Sequence, residues 1–422
     1  MREQASPRLG PGIIARIEEL GQISETPDAL TRVYLSSEHR RAGDLLAGWM
    51  REAGMSARVD AIGNVVGRYE GEESRRPALL LGSHYDTVRD AGKWDGPLGI
   101  VTAIACVAEL NRRGKRLPFA IEVIAFADEE GVRFASTLLG SRAVAGTFDE
   151  GTLRARDSDG VSLREAMQRF GLDPDHIGAA ARAPGEFLGY IELHIEQGPV
   201  LEAQALPVGV VSAISGATRL NVTLEGMAGH AGTVPMAMRH DALTGAAECI
   251  VAIETQCRND IGLFGTVGYL RADPGASNVI PGRVIFTIDM RCASDEHRRL
   301  AVASAVKTIE RIAETRGLRP QIDVTHEGRS VPCASWLATQ ISEAIVRCGF
   351  APMTLPSGAG HDGMAIADIT DIGMIFVRCR GGVSHHPDEH VDDADVETGA
   401  RVLLDVIENF RDEGRKKEKN NG

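Results

Sequence analysis

A histidine and two aspartates that follow one short apolar run have the residue types of a metal site. His84 and Asp86 come directly after Pro77–Leu81, and Asp95 lies eleven residues past the histidine. The apolar run predicts a strand, and side chains two apart on a strand point to the same face. A neutral imidazole binds zinc or manganese, and a nearby carboxylate can accept its second N–H. The segment predicts either a metal ligand with its orienting partner or a polar turn, because Asp95-Gly96 is also turn chemistry.

Three further polar clusters follow predicted strands, where open α/β sheets usually place their sites. They are Asp128–Glu130, His194 and the histidine-rich segment Ser384–His390. Adjacent carboxylates at a strand end repel each other unless a cation or solvent compensates them. A fifth cluster, Gly229–Gly232, surrounds a histidine with small residues that allow close approach of a ligand. Taken singly, none of these clusters requires a metal: a solvated loop explains Asp128–Glu130 and Ser384–His390, a satisfied histidine explains His194, and a turn explains Gly229–Gly232.

Length, composition and charge predict an ordinary globular protein of two domains. The chain has 422 residues, of which 43% are hydrophobic and 25% charged. Its net charge of -13 argues against a nucleic-acid or anionic-membrane partner. The N-terminus does not resemble a signal peptide and no run of about 18 apolar residues occurs, which predicts a cytoplasmic protein. The 7 cysteines are scattered without a C-x-x-C pair, which predicts reduced thiols.

The order of predicted elements indicates an α/β domain interrupted by an insertion. Strands and helices alternate up to residue 214 and again over 332–411, which predicts a mixed, mostly parallel sheet flanked by helices. Residues 215–331 have the pattern strand, helix, strand, strand, helix, strand, which predicts an α+β sandwich of an antiparallel sheet and two helices. Gly265–Ala272 is predicted as one strand of that sheet. The predicted domains are therefore 1–214 with 332–411, and the inserted 215–331, followed by a disordered tail at 412–422.

Taken together, the clusters resemble one family in the same order along the chain. Nine segments carry the resemblance: GSHYDTV at 82, GKWDGPLGI at 92, FADEEGVRF at 126, GSRAVAGT at 140, ELHIEQGPVLE at 192, GHAGTVPM at 229, NVIPG at 278, SGAGHD at 357 and GVSHHPDE at 382. They resemble the dinuclear-metal amidohydrolases of the M20 peptidase superfamily, from about residue 12 to 411. The branch indicated is that of allantoate amidohydrolases and N-carbamoyl-L-amino acid hydrolases. His194 favours it, because peptidase and aminoacylase relatives usually have an acidic ligand there.

This resemblance implies two divalent metal ions per subunit, zinc or manganese, with cobalt or nickel as further candidates. The implied ligands are Asp95 as a bridge, His84 and His194 for one ion, and Glu130 and His385 for the other. His385 is preferred to His386 because the family's ligand follows a small residue and stands four residues before a glutamate, here Glu389.

The resemblance also implies catalytic roles. Glu129 would be the general base, Asp86 would orient His84, and His230 would share the charge that develops on the attacked carbonyl oxygen. The implied substrate contacts are Gln197, His230, Asn278, Arg291 and His361.

Arg291 has a second interpretation. It shares the polar face of the predicted strand 283–291 with Asp289, so the two could form an ion pair within their own domain. Its planar guanidinium would otherwise suit the carboxylate of a substrate.

The implied reaction is hydrolysis of a ureido C–N bond in a small carboxylate, with release of ammonia and carbon dioxide. Allantoate, a purine-degradation substrate, is the first expectation, N-carbamoyl-L-amino acids the second, and ureidoglycolate or β-ureido acids the third. The inserted domain would serve as lid and homodimer interface, with His230, Asn278 and Arg291 acting across subunits. The alternatives are a non-catalytic ligand-binding relative and a serine or cysteine hydrolase, although G-x-S-x-G, H-E-x-x-H and Walker A motifs are missing.

Overall fold

The computed structural model describes residues 8–412, so the predicted tail 412–422 lies outside the described residues except for Asp412. The described chain forms two compact units. The larger unit comprises 8–212, 332–355 and 360–412, and the smaller comprises 213–331 and 356–359. Among the described residues, no helix is both long enough and apolar enough to cross a membrane.

Helices and strands follow one another through both units. In chain order the helices are α1 (Gly10–Gly21), α2 (Ser37–Glu52), α3 (Pro97–Arg112), α4 (Leu139–Ala145), α5 (Leu163–Phe170), α6 (Val200–Ala203), α7 (Ala242–Arg258), α8 (Asp295–Arg316), α9 (Ser335–Arg347), α10 (Gly363–Ile366) and α11 (Asp393–Glu408). The strands are β1 (Ser56–Val59), β2 (Val65–Tyr69), β3 (Ala78–His84), β4 (Ala120–Phe126), β5 (Phe187–Ile195), β6 (Val208–Ile214), β7 (Gly216–Glu225), β8 (Gly229–His230), β9 (Leu263–Thr266), β10 (Leu270–Asp273), β11 (Val279–Ile280), β12 (Arg283–Cys292), β13 (Arg319–Gly328), β14 (Val331–Pro332), β15 (Thr354–Ser357) and β16 (Ile372–Val377).

A mixed main sheet organises the larger unit. Its order is β1-β2-β4-β3-β5-β16-β6-β14, with β15 paired to β6. The central strands β4, β3, β5 and β16 are mutually parallel, whereas β2 and β6 run antiparallel to their neighbours. Strands β3, β4 and β16 are buried along their whole length. Their near-continuous apolar sequences are typical of parallel strands covered on both faces.

The parallel arrangement determines where the polar clusters lie. Strands β3, β4, β5 and β16 all end at the same edge of the sheet because they point in one direction. The segments that begin at His84, Ala127, Ile195 and Arg378 are therefore neighbours at this carboxyl edge. Helix α3, which packs on β3, β4 and β5, starts beside it at Pro97.

The smaller unit contains an antiparallel sheet in the order β10-β12-β7-β13, with β9 also paired to β12. Helices α7 and α8 contact this sheet. Strand β12 alternates as predicted, with Val284, Phe286, Ile288 and Met290 buried. The mixed sheet with flanking helices and the separate antiparallel sheet confirm the predicted fold class.

The prediction of one strand over Gly265–Ala272 is wrong. The structure has two strands there, β9 and β10, both paired with β12. Thr266 is opposite Asp289 and Leu270 is opposite Phe286, so three intervening residues on one side face two on the other. One extra residue in a strand is a β-bulge, which interrupts an otherwise alternating pattern.

His39 connects α2 to the carboxyl edge of the main sheet. It is fully buried, and its Nε2 lies 2.8 Å from the carbonyl oxygen of Ala127, to which it donates. Its ring stacks on Tyr85 with the centroids 4.1 Å apart. Burial lowers the pKa of His39 from 6.5 to about 3, although the charge of Asp86 opposes this.

We predict that His39 makes the protein less stable in mild acid. Its pKa is lower in the folded than in the unfolded chain, so the unfolded chain binds more protons below pH 6.5. This stability is present above pH 6.5 and is lost as the pH falls toward 3. Between pH 7.5 and pH 5.0 the loss should be about 2 kcal/mol in the free energy of unfolding, measured by urea denaturation.

His39→Gln keeps a side-chain N–H for Ala127 but cannot titrate, so its stability should change less over the same pH range. His176→Gln is the control, because the side chain of His176 is 75% exposed. Equal pH dependence in His39→Gln and wild type would contradict the prediction.

Candidate metal centre

The carboxyl edge of the main sheet brings all five predicted ligands together around Asp95. Its Oδ1 lies 3.3 Å from Nε2 of His84 and 3.1 Å from Nε2 of His194. Its Oδ2 lies 3.2 Å from Nε2 of His385, which is also 3.5 Å from Oε1 of Glu130. Each carboxylate oxygen of Asp95 therefore faces a different group of side chains.

These contacts define two donor sets that share Asp95. The first set is His84, Asp95 and His194, and the second is Asp95, Glu130 and His385. Within each set, one possible ligand atom per residue lies within 4.8 Å of the others. Imidazole nitrogen with carboxylate oxygen is a donor combination that suits zinc or manganese.

Backbone carbonyls orient two of the imidazoles. Nδ1 of His84 lies 3.1 Å from the carbonyl oxygen of Asp86, and Nδ1 of His194 lies 2.9 Å from that of Ile195. Each Nδ1–H donates to its carbonyl, which leaves Nε2 facing Asp95. Nε2 of His194 is buried and makes no hydrogen bond of acceptable geometry among the described residues. A nitrogen directed at a carboxylate in this way is suited to a cation between them.

The electrostatics of the site also favour binding of a cation. Burial raises the pKa of Glu129 well above its usual range, and the charge of Glu130 raises it further. Burial raises the pKa of Glu130 itself to about 7, although His84 opposes this. Burial opposes ionisation of Asp95 too, but the neighbouring imidazoles of His194, His385 and His84 hold its pKa well below the usual range. The residues present therefore fit a cationic group.

Asp86 makes its closest carboxylate contacts to backbone amides. Its Oδ1 accepts a hydrogen bond from the N–H of Glu129 at 3.1 Å, and its Oδ2 from that of Glu130 at 3.2 Å. Its Oδ1 is 3.5 Å from Nδ1 of His84, farther than the backbone oxygen of the same residue. Strand β3 ends at His84, so the strand geometry that would align these two side chains does not continue to residue 86. Asp86 thus joins the His84 segment to the Glu129–Glu130 segment.

Arg32 is a buried cation that contacts the segment after His84 and was not among the residues predicted from the sequence. Its side chain is fully buried, with Nε donating to the carbonyl oxygen of Tyr85 at 2.7 Å. Its Nη1 donates to the carbonyls of Leu20 and Ile23 at 3.0 and 3.1 Å. Burial lowers the pKa of Arg32 to about 10, opposed by the charge of Asp86. A single arginine outside any of the motifs gives no sequence signal for this role.

The adjacent histidines His385 and His386 have different neighbours. Nε2 of His385 lies beside Asp95 and Glu130, whereas Nδ1 of His386 lies 3.6 Å from Asp388; both histidine side chains are about half exposed, 50% and 59%. His385 has a left-handed backbone with φ of 56°. A non-glycine residue in this conformation costs about 1–3 kcal/mol and persists only where its surroundings hold it.

Two predicted substrate contacts lie beside the donor sets. Nε2 of Gln197 donates to Oδ2 of Asp95 at 2.8 Å and to Oγ of Ser384 at 3.1 Å. His361 is 1% exposed, and its ring meets that of His194 edge to face with centroids 4.6 Å apart. In this arrangement Gln197 contacts Asp95 and His361 contacts His194, and both contacted residues are candidate metal ligands. Contact of Gln197 or His361 with a substrate stays a prediction.

Within the smaller unit, His230 and Asn278 lie on one short ribbon. His230 on β8 is opposite Val279 on β11, and the N–H of Ala231 donates to the carbonyl oxygen of Asn278 at 3.0 Å. Nδ1 of His230 accepts the N–H of Gly232 at 3.0 Å. The ring proton of a neutral His230 is therefore on Nε2, in an exposed side chain.

Arg291 forms an ion pair with Asp289, which is the second of the two interpretations that its sequence position allowed. Its Nε and Nη2 donate to the two carboxylate oxygens of Asp289 at 2.9 and 3.1 Å, and its Nη1 to the carbonyl oxygen of Gly358 at 2.8 Å. Arg219 donates to the same aspartate at 3.0 Å. These three charged side chains line a cavity of about 560 Å³. Two arginines against one aspartate leave a net positive charge there.

The fold and this site define an α/β protein with a histidine–carboxylate centre at the carboxyl edge of its main sheet, and comparison with known proteins specifies the family. Residues 80–409 match the peptidase family M20/M25/M40. The chain is 43% identical to an allantoate deiminase of Arabidopsis thaliana, over 94% of this chain and 81% of that protein. It is 43% identical to an N-carbamoyl-L-amino acid amidohydrolase of Geobacillus stearothermophilus, over 94% of this chain and 98% of that protein.

Solved structures agree with these sequence matches. The crystal structure of an amidase of the hydantoinase/carbamoylase family from Burkholderia multivorans is similar with a TM-score of 0.89 and 32% identity, covering 94% of this chain and 97% of that one. The chain therefore belongs to the M20/M25/M40 peptidase family and is a hydrolase, which confirms the family predicted from the sequence.

We predict that Gly96→Ala disrupts the site. Gly96 precedes α3 with φ of 81°, and a Cβ there would lie 2.4 Å from the carbonyl oxygen of His84 and 2.6 Å from its ring. Gly114 also has positive φ, 63°, but a Cβ there would meet nothing within 4 Å. Gly114→Ala should cost only the backbone strain, about 1 kcal/mol, whereas Gly96→Ala should cost at least about 2 kcal/mol more. Urea denaturation of both variants measures this difference, and equal losses would contradict the prediction.

Proposed function

We propose that this protein hydrolyses a ureido C–N bond in a small carboxylate, with allantoate as the first substrate and N-carbamoyl-L-amino acids as the alternative. The observation that carries the proposal is the pair of donor sets sharing Asp95, with Glu129 beside them. Equal identity to an allantoate deiminase and to an N-carbamoyl-L-amino acid amidohydrolase supports the bond type and both substrates. The preference for allantoate, and with it a role in purine degradation, rests on the motif likeness.

The two donor sets would each hold one divalent ion, zinc or manganese, with Asp95 common to both. When bound, the ions would polarise the carbonyl group of the substrate and lower the pKa of water at the site. In the first set, the carbonyls of Asp86 and Ile195 fix the imidazoles so that Nε2 is the ligand atom. In the second set, Glu130 and His385 would complete the shell.

Glu129 would act as general base and then as general acid. One of its carboxylate oxygens lies within 4.8 Å of possible ligand atoms of His84 and Glu130, yet it belongs to neither set that contains Asp95. It would take a proton from water as the water oxygen attacks the carbonyl carbon, and would return it to the nitrogen as the C–N bond breaks. Cleavage of this bond releases ammonia and leaves a carbamate on the other nitrogen. The carbamate then loses carbon dioxide as its remaining C–N bond breaks, and that nitrogen takes up a proton and becomes the amine of the product.

His230 would stabilise the oxygen that becomes negative in this step. Its Nδ1 is already occupied by the N–H of Gly232, so its Nε2–H is the donor available to an oxyanion. Asn278 and Arg291 would bind the substrate carboxylate. Arg291 can do so because Arg219 also neutralises Asp289, which leaves one positive charge for the substrate.

A cysteine–histidine–aspartate series is the strongest support for a different mechanism. Sγ of Cys292 is 3.5 Å from Nδ1 of His297, whose Nε2 is 2.8 Å from Asp260. However, Cys292 is only 3% exposed, so a substrate has no direct access to its thiol. Loss of hydrolysis in a chelator and its return on addition of metal would exclude this alternative.

Substrate and metal can be tested together. The purified protein, loaded with manganese or zinc, is assayed for ammonia release from allantoate, N-carbamoyl-L-amino acids, ureidoglycolate and β-ureidopropionate. Fastest turnover of allantoate is expected. Release of no ammonia from any of the four by metal-replete protein would reject the proposed function.

We predict that Glu129→Gln separates catalysis from metal binding. The amide cannot take a proton, so kcat should fall by about 10²–10⁴-fold or more while the metal content stays that of the wild type. Glu130→Gln is the matched comparison, because it changes a proposed ligand and should lower metal content as well as activity. Elemental analysis with a turnover assay gives both quantities. Wild-type turnover in Glu129→Gln would remove this residue as the base.

We further propose a homodimer formed through the smaller unit, in which His230 serves the site of the partner subunit. Two inactive variants, Glu129→Gln and His230→Ala, should then complement each other when mixed and allowed to exchange subunits. A mixed dimer would contain one site with both substitutions and one with neither, so an equal mixture should recover about one quarter of wild-type activity. Recovery of no activity, with subunit exchange shown by native mass spectrometry, would contradict action across subunits.

A further inference from the structure

Glu389 joins the two loops that hold Asp95 and His385. It is 3% exposed, and its Oε1 accepts hydrogen bonds from the backbone N–H groups of Trp94 at 2.8 Å and Asp95 at 3.0 Å. Its Oε2 accepts a hydrogen bond from Oγ of Ser384 at 3.2 Å. That hydroxyl also lies 2.9 Å from Oδ2 of Asp95. One carboxylate therefore contacts the backbone of one loop and the side chain of the other.

Glu389 packs closely against Gly92. A Cβ at Gly92 would lie 2.3 Å from Cβ of Glu389 and 2.4 Å from its Oε1. The residue at 92 must therefore be glycine for the carboxylate to reach the amides of Trp94 and Asp95. Near it, His385 holds its left-handed backbone conformation, which needs fixed surroundings.

The two donor sets depend on this contact to different degrees. His84 and His194 lie within strands β3 and β5 of the main sheet, so their positions are fixed by the sheet itself. His385 lies on a loop after β16, and only Asp95 and Glu130 complete its set. A contact that ties this loop to Asp95 matters most for the second set.

We propose that Glu389 is a positioning residue that fixes the Asp95 loop against the His385 loop and so sets the geometry of the donor set Asp95, Glu130 and His385. This inference rests on the proposed function, because that set is there taken to hold a metal ion. Glu389 does not itself bind metal or substrate; it acts through Asp95 and His385. Partners of this kind orient ligands, and their loss typically weakens metal affinity by about 10–100-fold.

Three substitutions separate this role from a general loss of stability. Glu389→Ala removes the acceptor, whereas Glu389→Gln keeps a side-chain oxygen for the two amides. Gly92→Ala leaves Glu389 unchanged but places a methyl group where its side chain lies, so it should reproduce the effect of Glu389→Ala. The control is Glu397→Ala, which removes a different carboxylate-to-backbone hydrogen bond, that of Oε2 with the N–H of Gly10 at 2.6 Å.

The first measurement uses metal-free protein. Hydrogen–deuterium exchange, followed by mass spectrometry of peptides that span 92–96, should be at least about tenfold faster in Glu389→Ala and Gly92→Ala than in wild type. Glu389→Gln should exchange like wild type, and Glu397→Ala should be changed only near Gly10. Unchanged exchange at 92–96 in both Glu389→Ala and Gly92→Ala would overturn the proposal.

The second measurement is a titration of the same proteins with manganese, monitored by isothermal titration calorimetry. Wild type should bind two ions, Glu389→Ala and Gly92→Ala should bind one of them about 10–100-fold more weakly, and Glu389→Gln should behave as wild type. Fewer than two ions in wild type would reject the proposed dinuclear function rather than this inference. Two ions in wild type, bound equally well by Glu389→Ala and Gly92→Ala, would overturn the inference alone. If Glu389→Ala does not fold, the exchange rates and manganese affinities of Gly92→Ala and Glu389→Gln test the inference by the same criteria.

Discussion

Several like charges buried at one edge of a sheet are the constraint on which the rest of the structure depends. Asp86, Asp95 and Asp128 are almost fully buried there, with Glu129 and Glu130 immediately after. A buried carboxylate that lacks a counter-charge is costly, because desolvation favours its neutral form. Imidazoles from three strand ends or loops supply part of the compensation around Asp95. Divalent cations, in the proposed function, supply the remainder.

The cost of burying these carboxylates explains why several buried polar residues outside the two donor sets hold the loops in place. Arg32 holds the segment after β3 through the carbonyl of Tyr85, and His39 holds the segment after β4 through that of Ala127. Asp86 ties those two segments together, and Glu389 ties the Asp95 loop to the His385 loop. Each is a buried polar group whose hydrogen bonds are made to backbone or to a neighbouring loop. The centre is thus organised by contacts between loops as much as by the sheet.

The candidate ligands could be selected from the sequence, because they lie at the ends of apolar strands and in motifs with characteristic spacing. The parallel order of β4, β3, β5 and β16 then brings them to one edge, as the prediction of an α/β sheet implied. The supporting residues could not be predicted. Arg32 and His39 reach the site from elements distant in sequence, and neither has a motif of its own. The same holds for the bulge between β9 and β10, which depends on pairing with β12.

Arg291 shows a different limit. Strand alternation placed it correctly beside Asp289 on the polar face of β12, but alternation cannot distinguish an ion pair from a site for a substrate carboxylate. The same limit applies to Gln197 and His361. Their motifs indicate that they belong to the site, but their contacts with Asp95 and His194 depend on how β5, α10 and the adjoining loops pack.

The central claim is that Asp95 is shared by two metal ions. Anomalous diffraction from crystals of the manganese-loaded protein tests it most directly. Two manganese peaks per chain are expected about 3.5–4 Å apart, with the carboxylate of Asp95 between them, His84 and His194 at one, and Glu130 and His385 at the other. A single peak in fully loaded protein, or two peaks that do not both contact Asp95, would contradict it.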